Sequence, residues 1–254
     1  MNIELYLTPL PFAEASLEEK TVVVIDVLRF STSACAALMA GAKGVIPTAE
    51  SGEAAELRAK LGRDNTVLAG ERSGVRIENF DLGNSPAEFT KETVGDKFVV
   101  MTTTNGTAMF KKTAKAWQVL AGGLVNVSKI VEKVTENGRD LVIACSGRQG
   151  NFSIEDTLCG GLMIEQIFSN GAGEHKLNDA ASMAWQLYQN NSGTLYETIE
   201  KGEHGRFLVS IGFKADIRTA TAVDSIPVRP VLNDGRLIID ETLISLTWLI
   251  LNLS

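Results

Sequence analysis

Residues 21–40 read TVVVIDVLRFSTSACAALMA. The first seven are almost continuous β-branched apolar residues, which suits a strand buried on both faces. Residues 31–40 then run through small side chains without a proline and read as a helix lying close against that strand. A doubly buried strand followed at once by a helix is the repeating unit of a parallel α/β sheet.

The unit recurs along the chain. Strands are expected at 67–69, 98–101, 119–121 and 141–144. Helices are expected at 52–61, near 108–115, and at 125–136 and 154–168, with Asn137-Gly138 ending the third. This alternation predicts an α/β fold, layered α/β/α around a largely parallel sheet. From Leu177 the pattern turns helical, over 178–189, 195–201 and 204–211. From Ile217 it reads as extended, with Pro227 and Pro230 assigning that end to a sheet edge and Asn233-Asp-Gly making a tight turn. Residues 1–254 read as a single domain. Two closely packed α/β halves are the alternative, divided near 169–176, where SNGAGEHK is the nearest thing to a linker.

The 254 residues carry 24 Lys+Arg against 31 Asp+Glu, a net charge of −7, with 44% hydrophobic and 22% charged residues. That is ample apolar surface for a core, which excludes disorder. The acidic balance argues against nucleic acid as a partner, since binding it would need a basic face. Cys35, Cys145 and Cys159 form no CxxC and cannot all pair, which favours a reducing compartment. MNIELYL at the start lacks the basic region and apolar run of a signal peptide. Residues 242–253 are almost wholly apolar but too few to cross a bilayer, so a buried last helix or strand is expected there and no membrane association. The cytoplasm is the expected location.

In such sheets ligands bind beyond the carboxyl ends of the strands, and those segments are polar here. Asp26-Val-Leu-Arg29 follows the first strand, and Glu71-Arg72 and Phe80-Asp81-Leu-Gly83-Asn84-Ser85-Pro86 follow 67–69. Thr102-Thr-Thr-Asn105-Gly106-Thr107 follows 98–101, and Cys145-Ser-Gly-Arg148-Gln-Gly follows 141–144, with Glu155 and Asp156 opening the next helix. A Gly- and Thr-rich turn into a helix offers backbone N–H groups and a positive dipole end to an anion. Arginine adds a planar fork for phosphate or sulfonate oxygens. Asp26, Glu155 and Asp156 are hard oxygen donors of the kind Mg²⁺ prefers, and a cation is needed where carboxylates and an anion share a rim.

Each feature has a plainer role as well. Thr and Asn cap helices, Ser85-Pro86 suits a cap followed by the first helical residue, and Glu155 and Asp156 complement a helix dipole. Arg72 suits a surface ion pair, and His204, in His204-Gly205-Arg206, suits a cap. Four such strand ends together favour a site. GxxxxGK[ST], GxGxxG after a strand and C-x5-R are all absent, and Asp26 is not followed by a second Asp two residues on.

VVVIDVLRFSTS, ERSGVRIENFDLGNSP, TTTNGT, CSGRQGNFSIEDTLCGG and HGRFL, in that order, resemble the motifs of the 2-phosphosulfolactate phosphatase family, from about Val22 to Gly235. The resemblance implies that family's α/β fold and Mg²⁺-dependent hydrolysis of (2R)-O-phospho-3-sulfolactate to 3-sulfolactate and phosphate, a step of coenzyme M biosynthesis in archaea. Asp26, Arg29, Glu71, Arg72, Asp81, Asn84, Thr103, Asn105, Gly106, Arg148, Glu155, Asp156, His204 and Arg206 match family positions. On that basis Mg²⁺ is expected on Asp26, Glu155 and Asp156, and the phosphate on Thr103, Asn105, Gly106 and Arg29. The sulfonate and carboxylate are expected on some of Arg72, Arg148 and Arg206, with Asp81 and Asn84 completing the substrate-binding set. Asp26, His204 and Arg206 make the expected catalytic group, with His204 as the acid for the leaving alkoxide. Two nucleophiles fit: metal-bound water, which is favoured, and an aspartate forming an acyl phosphate.

Two departures stand out: Asn79-Phe80 where the family pattern has Gly-Phe, and a longer, more apolar tail after Leu237. A small anionic phosphate ester is the expected partner, and a homodimer is the assembly considered. The alternatives are a phosphatase of the same mechanism acting on another phosphorylated hydroxy acid, and a non-catalytic anion-binding protein.

Overall fold

A computed structural model describes residues 1–9, 17–171 and 174–240. The chain opens with β1 (Asn2–Tyr6), β2 (Thr21–Ile25), α1 (Phe30–Met39), β3 (Gly44–Thr48), α2 (Ser51–Leu61) and β4 (Thr66–Arg72). A short β5 (Val75–Arg76) and α3 (Lys91–Val94) lead to β6 (Phe98–Thr102), α4 (Gly106–Thr113), β7 (Gln118–Gly122), α5 (Val127–Asn137), β8 (Leu141–Cys145) and α6 (Ile154–Asn170). Then come β9 (Lys176–Leu177), α7 (Asp179–Asn191), α8 (Leu195–Lys201), α9 (Glu203–Ser210), α10 (Lys214–Thr221), β10 (Pro230–Asn233) and β11 (Arg236–Ile239).

The strands form one sheet in the order β5-β4-β6-β3-β11-β10-β7-β2-β8-β1-β9. β2 lies parallel between β7 and β8, with Val23 opposite Leu120 and Ile143. Alternate residues face opposite sides. Val23, Ile25 and Ile143 pack with Ile130 and Val131 of α5 and with Leu158 and Met163 of α6. Val22, Val24 and Ala144 pack on the other side with Phe30 and Ala34 of α1 and with Met109 and Phe110 of α4. Both faces of β2 are therefore covered, which is why it carries no polar alternation, and the expected layered α/β/α arrangement is present.

The C-terminal region departs from expectation twice. Ile217 begins no extended stretch; it lies within α10, where Ile217 and Ala220, one turn apart, are both fully buried. The hairpin of β10 and β11 sits in the middle of the sheet and not at its edge, antiparallel to both neighbours. It meets β7 only at Val231–Leu120 and β3 only at Leu237–Val45. Pro230 is the first residue of its strand, so a missing N–H costs little there. Asn233-Asp-Gly makes the turn, with Asp234 and Gly235 at φ 47° and 74°.

β1 and β3 carry no sequence expectation; each is only five residues long, and Pro47 interrupts the second. Asn79 adopts φ 65°, a conformation that glycine holds freely and asparagine tolerates. The apolar stretch at 242–253 lies outside the described residues. Among the described residues, no helix is long and apolar enough to cross a membrane.

Candidate active site

Asp26 directly follows the buried β2 and is itself 4% exposed. Its Oδ1 accepts from the Phe30 N–H at 3.1 Å, its carbonyl accepts from the Ser31 N–H at 2.9 Å, and its own N–H donates to Ser31 Oγ at 3.1 Å. The residue thus builds the start of α1 while staying at the strand end. Burial pushes its carboxyl up to about 6; the neighbouring His204 and the Phe30 N–H oppose that rise, and Glu71 and Glu155 add to it. A Cβ on Gly106 would lie 2.5 Å from Asp26 Oδ2 and 2.9 Å from Phe30 Cβ. Only glycine lets the first turn of α4 come this close to the carboxylate.

The Thr-rich turn before α4 does not behave as a cap. Asn105 makes no side-chain bond to its own helix; its Oδ1 accepts from the Gln149 N–H at 2.9 Å, across the cleft floor. Glu71 fastens this turn from the other side. Its Oε1 accepts from the Thr104 N–H at 2.8 Å and its Oε2 from the Gly74 N–H at 2.7 Å. Thr103 Oγ1 and Asn84 Oδ1 are buried without a hydrogen-bond partner among the described residues. Buried polar atoms are normally paired, so both are placed as a ligand's partners would be.

Glu155 and Asp156 do different work. Asp156 Oδ1 accepts from the Val27 N–H at 2.9 Å and Oδ2 from the Gly147 N–H at 3.0 Å, clamping the loops after β2 and β8 together. Burial raises its carboxyl well above the ordinary range, and Glu155 and Asp26 add to that. Glu155, 2% exposed, instead pairs through Oε1 with His204 Nδ1 at 2.9 Å. The imidazole is then oriented by a buried carboxylate, with Nε2 as its other ring nitrogen. Arg148 pairs with Glu203 and lies over the Phe207 ring, 4.8 Å from its centroid.

These groups surround a cleft of about 130 Å³. Glu71, Ser73, Gly74, Asn84, Thr103, Thr104 and Asn105 line it from the chain running from β4 to α4, and Asp26, Leu28, Arg29, Arg148, Gln149, His204, Phe207 and Leu208 from the segments after β2 and β8 and from α9. A second chamber of about 220 Å³ adjoins it, sharing Arg148 and His204 and adding Phe152, Ser153 and Glu155. Of the residues expected from sequence, Asp26, Arg29, Asn84, Thr103, Asn105, Arg148 and His204 line the cleft, Glu155 supports it and Gly106 packs on Asp26.

Three expected residues are placed elsewhere. Arg72 donates to the Glu71 and Ala49 carbonyls and is 42% exposed. Asp81 pairs with Arg58 at 2.7 Å and accepts from the Leu68 N–H at 2.8 Å, holding the loop after β4. Arg206 is an exposed side chain on α9 that donates to the Lys201 carbonyl. Motif position alone could not separate these from their neighbours, because adjacent residues in a loop or helix face different ways. Gly74, Gln149 and Phe207 reach the cleft without any sequence signal beyond their proximity to marked residues.

The expected three-carboxylate Mg²⁺ set does not assemble. Asp156 spends both oxygens on backbone amides, and among the described residues no three His, Cys, Asp or Glu side chains gather as a metal cage.

A family model described as 2-phosphosulpholactate phosphatase matches residues 6–235. A relative from Caldanaerobacter subterraneus subsp. tengcongensis, named probable 2-phosphosulfolactate phosphatase, is 39% identical over 235 residues, covering 92% of this chain and 97% of its own. Relatives of the same name from Clostridium novyi and Thermotoga maritima are 37% and 34% identical, covering 91% and 89% of this chain and 96% and 94% of their own.

Proposed function

The chain belongs to the 2-phosphosulfolactate phosphatase family, and we propose that it hydrolyses 2-phosphosulfolactate to 3-sulfolactate and phosphate in the cleft at Asp26. The observation that carries this reading is His204 paired with the buried Glu155 at a cleft that also holds Arg29, Arg148 and Thr103, whose hydroxyl has no hydrogen-bond partner among the described residues.

Phosphate monoester hydrolysis needs the phosphoryl charge stabilised, a nucleophile oriented and the leaving alkoxide protonated. Thr103 Oγ and Arg29 donate to the phosphoryl oxygens. The second chamber receives the sulfonate-bearing arm, and Arg148, on its wall, exchanges Glu203 for that anion. His204 donates from Nδ1 to Glu155 and delivers a proton from Nε2 to the leaving oxygen; the family resemblance and the pairing support this assignment together. Asp26 orients the attacking water through Oδ2.

Magnesium stays in the proposal in a narrower form. Mg²⁺ is commonly held by one or two carboxylates together with substrate phosphates, without an all-protein cage, and Asp26 is the cleft carboxylate suited to that. When bound, the ion would neutralise phosphate charge. A cytoplasmic place in sulfolactate or coenzyme M metabolism belongs to the same proposal; the three cysteines, free and buried, suit a reducing setting.

Phosphate release from 2-phosphosulfolactate and from phosphoglycolate, each with Mg²⁺ and with excess chelator, tests the reading. Release from the sulfonated ester at the higher kcat/KM, lost on chelation, is expected. Equal turnover of both esters would transfer the function to phosphorylated hydroxy acids in general, and full activity in chelator would remove the metal.

A further inference from the structure

Arg29 is fixed by two segments distant from it in the chain, one at Gly74 and one spanning Phe213 and Asp216. Its Nη1 donates to Asp216 Oδ2 at 2.6 Å, its Nη2 to the Gly74 carbonyl at 3.4 Å, and its guanidinium stacks over Phe213, 4.3 Å from the ring centroid. Asp216 is held in turn: its Oδ1 accepts from Ser85 Oγ at 2.7 Å. Arg29 and Asp216 are 3% and 4% exposed and Ser85 is 7% exposed. Asp216 comes from α10, 187 residues further along the chain, and carries no family motif or sequence expectation.

A buried ion pair is a poor device for stability alone, because desolvation offsets most of the attraction. A cleft arginine beside two carboxylates has a specific problem that such a pair solves. Asp26 and Glu71 line the same cavity, and an untethered guanidinium would fold onto them and close the anion site. Arg29 pairs with Asp216 instead. Two of its five N–H donors are thereby used, and the others remain for a ligand's oxygens.

We propose that Asp216 is a positioning residue: through Arg29, and anchored by Ser85, it keeps a phosphate-binding guanidinium presented to the cleft. This rests on the reading of Arg29 as a phosphate contact but not on the identity of the rest of the substrate.

The test uses the full chain and inorganic phosphate as the probe, with binding measured by calorimetry on folded protein. Arg29→Ala is expected to weaken binding by at least about tenfold, the loss of a charge-assisted bond. Asp216→Asn is expected to weaken it comparably in the native background and to change nothing further in the Arg29→Ala background. Normal phosphate binding by Asp216→Asn, or a loss of similar size in both backgrounds, overturns the proposal. If Asp216→Asn does not fold, Ser85→Ala decides: weakened binding supports the chain from Ser85 to Arg29, and unchanged binding overturns it. Failure of the substrate reading has a different signature, a native protein that binds phosphate normally and releases none from 2-phosphosulfolactate.

Discussion

A carboxyl raised from 3.8 to about 6 at Asp26 makes stability depend on pH with a definite sign. The folded state holds this proton more tightly than the unfolded state does, so stability falls as pH rises from roughly 4 to 6 and the full penalty persists above that window. Two pKa units correspond to about 3 kcal/mol. Asp26→Asn, which keeps an acceptor for the Phe30 N–H, is therefore expected to raise stability at pH 8 by up to about 3 kcal/mol, seen as a higher melting temperature, and to give no gain at pH 4. Melts at the two pH values check this; an equal shift at both contradicts it. Glu155 and Asp156 separate in the same way. Asn at 156 must turn an NH₂ toward either the Val27 or the Gly147 N–H, costing about 1–3 kcal/mol, whereas Glu155→Gln is expected to leave urea stability within about 1 kcal/mol and lower kcat at least tenfold, as removal of support for a general acid does. The reverse pattern would return Glu155 to a structural role. Sequence reasoning reached both acids because they are hard oxygen donors opening a helix beyond a strand end. It could not tell them apart, since neighbours on a helix diverge by about 100°. Asp216 was invisible for another reason: its partner is distant in the chain, and nothing local marks the pair.

At the scale of elements, the legible ones were those that bury both faces. β2 announces itself by an unbroken β-branched run and β8 by an unbroken apolar one, and α5 by a repeating apolar stripe ended at Gly138 in the left-handed conformation. The hairpin was misplaced because a strand proline reports only a missing N–H, which is tolerated at the first residue of a strand, where Pro230 stands, as well as at a sheet edge. Its central position carries a consequence. Leu237 is fully buried and pairs with Val45 in β3, so Leu237→Ala is expected to cost about 2–5 kcal/mol in urea unfolding. A cost under about 1 kcal/mol, typical of a solvent-facing position, would place the hairpin at an edge after all. Gly106→Ala tests the helix-to-carboxylate approach. Its Cβ has no room beside Asp26 Oδ2, and turnover is expected to fall with the secondary structure unchanged in circular dichroism.

Across the whole molecule, the cleft brings together residues from two largely parallel half-sheets joined by the antiparallel hairpin. Glu71, Gly74, Asn84 and Thr103 come from the β4–β6 side, and Asp26, Arg29, Arg148 and His204 from the side of β2, β8 and the later helices. Polar strand ends showed in the sequence that such a site exists; which of them face one another required the sheet order, which the central hairpin determines. On the proposed mechanism, this cleft hydrolyses the sulfonated ester with His204, oriented by Glu155, protonating the leaving oxygen. Phosphate release from 2-phosphosulfolactate, compared between the native chain and His204→Ala, tests it most directly. Steady release by the native chain and a fall of about 100-fold or more in His204→Ala, within the usual worth of a general acid, is the expected result. No release by the native chain, or undiminished release by the variant, would contradict it.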